Sequence, residues 1–397
     1  MVIVSTYSRL GKGEGLRKGI FGACRGGVGV FFGFVNPNQM LLVGVPGTEL
    51  DAELAERLRR LQPGGFILFG RNIESGSQLR KLIDDLRDVS DIEPVVTIDQ
   101  EGGRVSRLRL IGHEPPSAQQ LRYKGDPELI EWHGELTGRL LRMFGFNLDL
   151  CPVLDISFDD EADNSLKGRC YGGSVEEVIA NAEVFRASMT AEGILSCGKH
   201  FPGYTFAGLD PHHELPAIGR TREELDGCEL AVFREFAGRI DSMMIGHAHY
   251  PCFDEAVLPA SLSHAVIRDC LRGELGFEGL VMTDDLDMGA ILNTFGWEET
   301  IQRAVRAGNE LIMICHRLEA AEEALEILEK MPAADLDPAL EGLARWKTRM
   351  APPTAFSEEV HRALDAEVWD LRVATLGEEE AAKRSAEDGK RSPVETY

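Results

Sequence analysis

The sequence is short of several things, and each shortage removes a class of function. No apolar run approaches the length of a membrane-spanning helix. Basic residues are outnumbered, 42 Lys and Arg against 66 Asp and Glu, giving a formal charge of −24. That balance argues against nucleic acid as a partner, since phosphate binding calls for a basic patch, and against adsorption to anionic membranes. The eight cysteines are scattered, with no Cys-x-x-Cys pair and no zinc-finger spacing. Several sit in apolar runs such as LSCGKHF and LIMICH, so they read as buried free thiols in a reducing compartment. No internal repeat and no second globular domain can be discerned.

What is present is a chain of 397 residues, 43% of them hydrophobic, enough for one large core. Residues 1–39 are glycine-rich, mildly basic and without periodicity. Their GIFGACRGGVGVFFGFV segment imitates a signal peptide, but Arg25 interrupts it and no A-x-A site follows. The segment is therefore expected to be a disordered leader, or to reflect a start site upstream of the true one at Met40, and the protein is expected in the cytoplasm.

From Met40 onward short apolar runs alternate with amphipathic helices. The strand candidates are MLLVGV and then GFILFG, PVVTIDQ, NLDLCPVLDI, GILSCGKHF, DSMMIGHAHY, GLVMTDDLD and LIMICH. Near-continuous apolar strands belong to sheets buried on both faces. About eight such β/α units over residues 40–350 predict a single catalytic domain of the α/β class, a (β/α)8 TIM-type barrel. Residues 351–375 read as a C-terminal helix packing on the barrel, and 376–397 as a charged, disordered tail.

Polar residues collect at the C-terminal ends of these strands: Asp99, Asp155, Lys199 with His200, His247 and Asp284. In a parallel barrel those ends share one rim, where the βα loops build the active site. Three blocks carry the chemistry. KHFPGYTFAGLDPHHELP delivers Lys199 and His200 to the rim, then opens a loop in which Asp210 precedes His212 by two residues. A carboxylate so placed can fix the histidine tautomer and raise its basicity. In GLVMTDDLDMGA, Asp284 follows the strand directly and is placed to attack as a nucleophile. Asp285 would point the other way if the strand continued, and Asp287 reads as a cap for the helix that begins at MGAIL. TDDLD has too few regularly spaced oxygens for calcium. In TIDQEGGRVSRL, Asp99 can bind sugar hydroxyls, and paired glycines let the chain turn sharply. EGGR lacks the spacing of a nucleotide-binding glycine motif. Arg107, and Arg169 in KGRCYGG, are long donors in βα loops.

In this order the blocks, with PGGFILFGRNI and PASLS, resemble the single-domain bacterial β-N-acetylhexosaminidases of glycoside hydrolase family 3 over residues 40–350. The resemblance implies a retaining enzyme that hydrolyses terminal non-reducing β-N-acetylglucosamine, with peptidoglycan fragments as the expected source. It implies Asp284 as nucleophile, an Asp210–His212 acid/base dyad, and Asp99, Arg107, Arg169, Lys199 and His200 as sugar-binding residues. No cofactor or metal is expected, and the partner is a small amino-sugar glycoside, with a monomer assumed. The family commonly reads KHFPGHG and D-S-H, where this chain has Tyr204, Thr205 and Pro211. A β-N-acetylglucosaminide phosphorylase using the same residues is the alternative, because imidazole would not repel phosphate as a carboxylate would. A zinc hydrolase built on His247, His249, His200, His212 and His213 is a second, though strand alternation separates His247 from His249. A catalytically dead sugar-binding module is the third.

Overall fold

A computed structural model describes residues 36–162, 164–205, 215–292 and 294–385. Eight strands form one parallel sheet: β1 (Leu41–Gly44), β2 (Gly65–Leu68), β3 (Val95–Ile98), β4 (Leu148–Asp149), β5 (Leu195–Phe201), β6 (Ser242–Ile245), β7 (Leu280–Thr283) and β8 (Ile312–Ile314). Each pairs with the next in chain order, β8 pairs back onto β1, and a bridge between Met282 and Leu311 links β7 to β8. The sheet is thus a closed (β/α)8 barrel, and all eight strands fall within the apolar runs picked out above.

Strand alternation divides the core in two. Leu42, Ile67, Val95, Leu148, Met244, Met282 and Met313 fill the barrel. Their neighbours Leu41, Val43, Phe66, Leu68, Val96, Met243 and Val281 face the helices in the outer layer. The helix Ala333–Lys347 closes the bottom: Leu343 and Trp346 join the inner cluster, and the Trp346 indole donates to the Asp241 carbonyl at 2.7 Å.

Several local expectations shift. The NLDLCPVLDI run is regular only at β4, because Pro152 has no N–H to give the ladder; Leu150 and Leu154 still bond to Ile98 and Lys199 on either side. TREELDGCELAVFREFA is two helices, Arg222–Asp226 and Glu229–Phe236, broken at Gly227–Cys228. SHAVIRDCLRGELG winds as a π-helix over Ala265–Glu274, ending with Leu275 N bonded to Cys270 O. The helices Leu318–Lys330 and Ala333–Lys347 were not anticipated, although LEAAEEALEILEK is plainly amphipathic.

At the ends, Pro37 and Gln39 are already buried, so packing begins a few residues before Met40. The C-terminal helix spans Glu358–Leu376 and packs on the helix Pro127–Phe144. A further helical turn, Glu378–Ala381, follows in the segment read as tail, because Arg372 bonds the carbonyls of Ala381 and Lys383. No helix among the described residues is long and apolar enough to cross a membrane. Five of the seven described cysteines are buried and all seven are free.

Candidate active site

The C-terminal ends of the strands surround a pocket of about 630 Å³, its open mouth included. Asp99, Arg107, Arg169, Lys199, His200 and Asp284 all line it, six of the eight residues assigned to the site from sequence. The other two, Asp210 and His212, lie outside the described residues.

The pocket floor is an ionic lattice. Lys199 Nζ lies 2.7 Å from Asp99 Oδ1 and 2.6 Å from Glu101 Oε1. Arg169 engages Glu101 through two bonds of 2.8 Å, and Arg107 approaches Asp99 at 3.7 Å. Burial alone would push the Glu101 carboxyl up, but Arg169 and Lys199 hold it well below the usual carboxylate range. Burial likewise opposes the charge on Lys199, and Asp99 with Glu101 override it and raise the ammonium above its ordinary value. Glu101, Lys199 and Arg169 therefore stay charged at neutral pH. Lys199 and Arg169 are cations paired with the Asp99 and Glu101 carboxylates, an arrangement that offers hydroxyl groups both donors and acceptors.

The loop that carries these residues depends on its glycines. Gln100–Gly102 and Val105–Ser106 form a small antiparallel hairpin. Gly102 has φ +101°, and a Cβ there would lie 2.4 Å from the Pro116 carbonyl oxygen. Gln100 staples the hairpin, donating to Ser106 Oγ and accepting from Leu108 N.

His200 is held from behind. Asp155 Oδ2 lies 2.7 Å from its Nδ1 and accepts its backbone N–H at 3.1 Å, while Oδ1 accepts from Tyr204 N at 2.6 Å. Asp155 is 1% exposed, so it orients the histidine and does not reach substrate. The Lys199–His200 peptide is cis. Asp284 is half-buried at the end of β7, with its backbone N–H on Ile245 O and its Oδ1 accepting from Asp285 N at 2.8 Å.

The glycosyl hydrolase family 3 N-terminal domain matches residues 36–345. The β-hexosaminidase of Tolumonas auensis is 32% identical over 333 residues, covering 80% of this chain and 98% of the relative. That of Vibrio cholerae is 36% identical over 299 residues, covering 75% and 87%. Among solved structures, a family 3 β-N-acetylglucosaminidase from Paenibacillus superposes with a TM-score of 0.79 at 32% identity, over 86% of this chain and 68% of that one. NagZ from Neisseria gonorrhoeae does so at 0.73 and 26%, over 85% and 98%. The chain belongs to glycosyl hydrolase family 3.

In this family 3 hydrolase not every rim residue faces the pocket. His247 is fully buried, with Nδ1 2.7 Å from Ser261 Oγ and Nε2 2.9 Å from the Asp285 carbonyl. The expectation that it joins the site is corrected: it props the Asp284 loop from below. His249 is also inward, against the Leu258 backbone. Among the described residues no three His, Cys, Asp or Glu side chains gather as a metal-ligand set.

The two aspartates after Asp284 also have defined partners. The strand stops at Thr283, so alternation does not carry on to Asp285. Asp285 lies at the pocket edge and is 2% exposed, accepting from Asp287 N and Cys315 N through Oδ1. Asp287 caps a helix, but the next one. Its Oδ2 accepts from His316 N and Arg317 N, which lead into Leu318–Lys330, and Oδ1 pairs with Arg317 Nε at 2.6 Å.

Sequence reasoning passed over Glu101 and Phe69. Glu101 stands inside the IDQEGGRV block, and its place two residues past the rim carboxylate Asp99 was the available signal. Phe69 lines the pocket, stacks on His316 and lies under Arg71 at 4.5 Å. Tyr204, where the family pattern has histidine, is buried with its ring edge-on to His200 at 5.6 Å. Thr205 bonds Ile156 in both directions, so the chain leaving β5 is pinned to the β4 loop.

Proposed function

We propose that this enzyme is a retaining exo-β-N-acetylhexosaminidase that releases a terminal, non-reducing β-linked N-acetylglucosamine. The observation that carries the reading is the convergence, at one pocket, of the half-buried Asp284 with Asp99, Arg107, Arg169, Lys199 and His200. Family membership and relatives named as hexosaminidases and glucosaminidases support it. Those names favour hydrolysis over phosphorolysis.

In this mechanism the terminal sugar sits on the ionic floor, its hydroxyls shared among Asp99, Arg107, Arg169, Lys199 and His200. Asp284 attacks the anomeric carbon as the glycosidic bond breaks, and His212, oriented by Asp210, gives its proton to the leaving oxygen. The same imidazole then takes a proton from water, whose oxygen displaces the Asp284 carboxylate and restores the β configuration. Peptidoglycan fragments in the cytoplasm are the proposed natural source of substrate.

Turnover of 4-nitrophenyl N-acetyl-β-glucosaminide against the matching β-glucoside tests the reading. The wild type should prefer the N-acetyl substrate, Asp284→Ala should be inert, and His212→Ala should be slowed less on this activated leaving group than on an alkyl glycoside. A fully active Asp284→Ala variant overturns the mechanism. A wild type inert on both substrates overturns the activity.

A further inference from the structure

We propose that the C-terminal helix Glu358–Leu376 and residues 377–385 after it clamp the sugar pocket from outside, with Glu114 as the residue that positions Arg107. The inference rests on the sugar-binding role given to Arg107 above. It concerns residues beyond 345, where the family match ends.

The link starts in the short 3-10 turn Arg107–Leu110. Arg107 lines the pocket, whereas Arg109 reaches Glu114 Oε2 at 3.4 Å. Glu114 is 2% exposed. Its Oε1 receives Arg372 Nη1 at 3.1 Å and both the backbone N–H and the hydroxyl of Ser385, at 3.2 and 2.7 Å. Arg372 Nη1 also bonds the Glu114 carbonyl at 3.0 Å, and its Nε bonds Ala381 O at 2.7 Å. A single guanidinium thus ties together the helix, the chain that folds back after it, and the loop that ends in the Arg107 turn.

A second contact lies further back along the helix. Asp365 Oδ1 accepts from His113 N at 2.5 Å, and Asp365 Oδ2 lies 2.9 Å from the His113 ring. At this second contact the loop is pressed against the helix: a Cβ at Gly112 would stand 2.3 Å from Asp365 Oδ1. Apolar packing would hold a helix here equally well, since a buried ion pair is a poor source of net stability. What buried charges impose is a fixed arrangement. Moving Arg372 would leave the buried Glu114 carboxylate with Arg109 as its one cation among the described residues, so helix and loop are constrained to move as one body.

The test is steady-state kinetics and N-acetylglucosamine affinity for Glu114→Gln, Asp365→Asn, Arg107→Met and each clamp variant combined with Arg107→Met. Thermal melts accompany each variant. Asp365, with a quarter of its side chain exposed, gives a milder variant should Glu114→Gln not fold. Because a small misplacement of a binding group costs heavily, the clamp variants should raise KM and weaken product binding on the order of 10-fold with kcat nearly unchanged. Arg372→Lys should be impaired less than Arg372→Met yet fall short of wild type, its ammonium being unable to fork. In the Arg107→Met background the clamp variants should add nothing. If Arg107→Met raises KM and the clamp variants do not, or if their effects multiply with it, the clamp is wrong and the site reading stands. If Arg107→Met leaves KM unchanged, the role of Arg107 itself falls, and the clamp with it.

Discussion

Glu101 and Arg169 meet through two parallel bonds of 2.8 Å across 68 residues of chain, and Lys199 closes on the same carboxylate at 2.6 Å. The pair joins the βα loop after β3 to the loop after β4 and places two cations beneath the sugar site. A forked Arg–carboxylate pair fixes orientation as well as distance, so neither loop can shift without the other.

Glu101→Gln should therefore injure both stability and binding. Removing one partner of a buried pair costs roughly 3–5 kcal/mol, seen in chemical denaturation, with KM raised at temperatures where the variant is folded. The acid side carries a second signature. Glu101 titrates below its unfolded value, so its contribution is complete above about pH 4.3 and is lost as pH falls through the lower folded value. Stability measured from pH 5 downward should fall less steeply in the variant. Equal slopes would remove Glu101 as an acid-sensitive group.

His133 also costs stability on acidification, but over a higher window. It is 1% exposed against Phe185, neither ring nitrogen has a hydrogen-bond partner, and burial pushes its pKa down to about 4. The unfolded ring takes its proton near pH 6.5, so stability drains away between there and about pH 4. Replacing His133 with Leu should flatten that decline by on the order of 3 kcal/mol across the window. Parallel wild-type and variant curves would show that the ring does not stay neutral in the fold.

Gly102→Ala should disable the sugar site without touching a sugar-facing side chain. The positive φ and the Pro116 carbonyl 2.4 Å from the added methyl together demand a backbone shift. Strain of about 1–3 kcal/mol is expected in denaturation, with a loss in kcat/KM larger than the stability change explains. A variant with native kcat/KM would mean the hairpin tolerates that shift.

Trp346→Ala is the complementary case. It opens the barrel bottom, removing an indole that is 4% exposed and bonded to Asp241 O. A loss of roughly 3–5 kcal/mol should appear in denaturation while KM and kcat below the melting range stay near wild type. Loss of activity at full folding would show that the two ends of the barrel are coupled.

The barrel is legible in the sequence, because a strand buried on both faces must be written as an apolar run, and eight such runs stand in order from Met40 to Ile314. The sequence also marks which end is chemical, since Asp99, Asp155, Lys199, His200 and Asp284 stand where the strands finish. Asp99, Lys199, His200 and Asp284 could be named from those positions, Arg107 and Arg169 from the family resemblance, and one pocket holds all six. Which of the rim's polar residues face that pocket and which support it depends on how the strands and loops pack. His247 and Asp155 have the same sequence signature as Lys199 and Asp99, yet they are spent on Ser261, the Asp285 carbonyl and His200. Asp287 caps the neighbouring unit's helix, and Glu114 is claimed by an arginine 258 residues away. Periodicity reports which face a residue takes relative to neighbours a few positions along its own element. The partner a buried charge must find is supplied by whichever adjacent strand or loop lies within hydrogen-bonding distance, and that neighbour is chosen when the sheet closes.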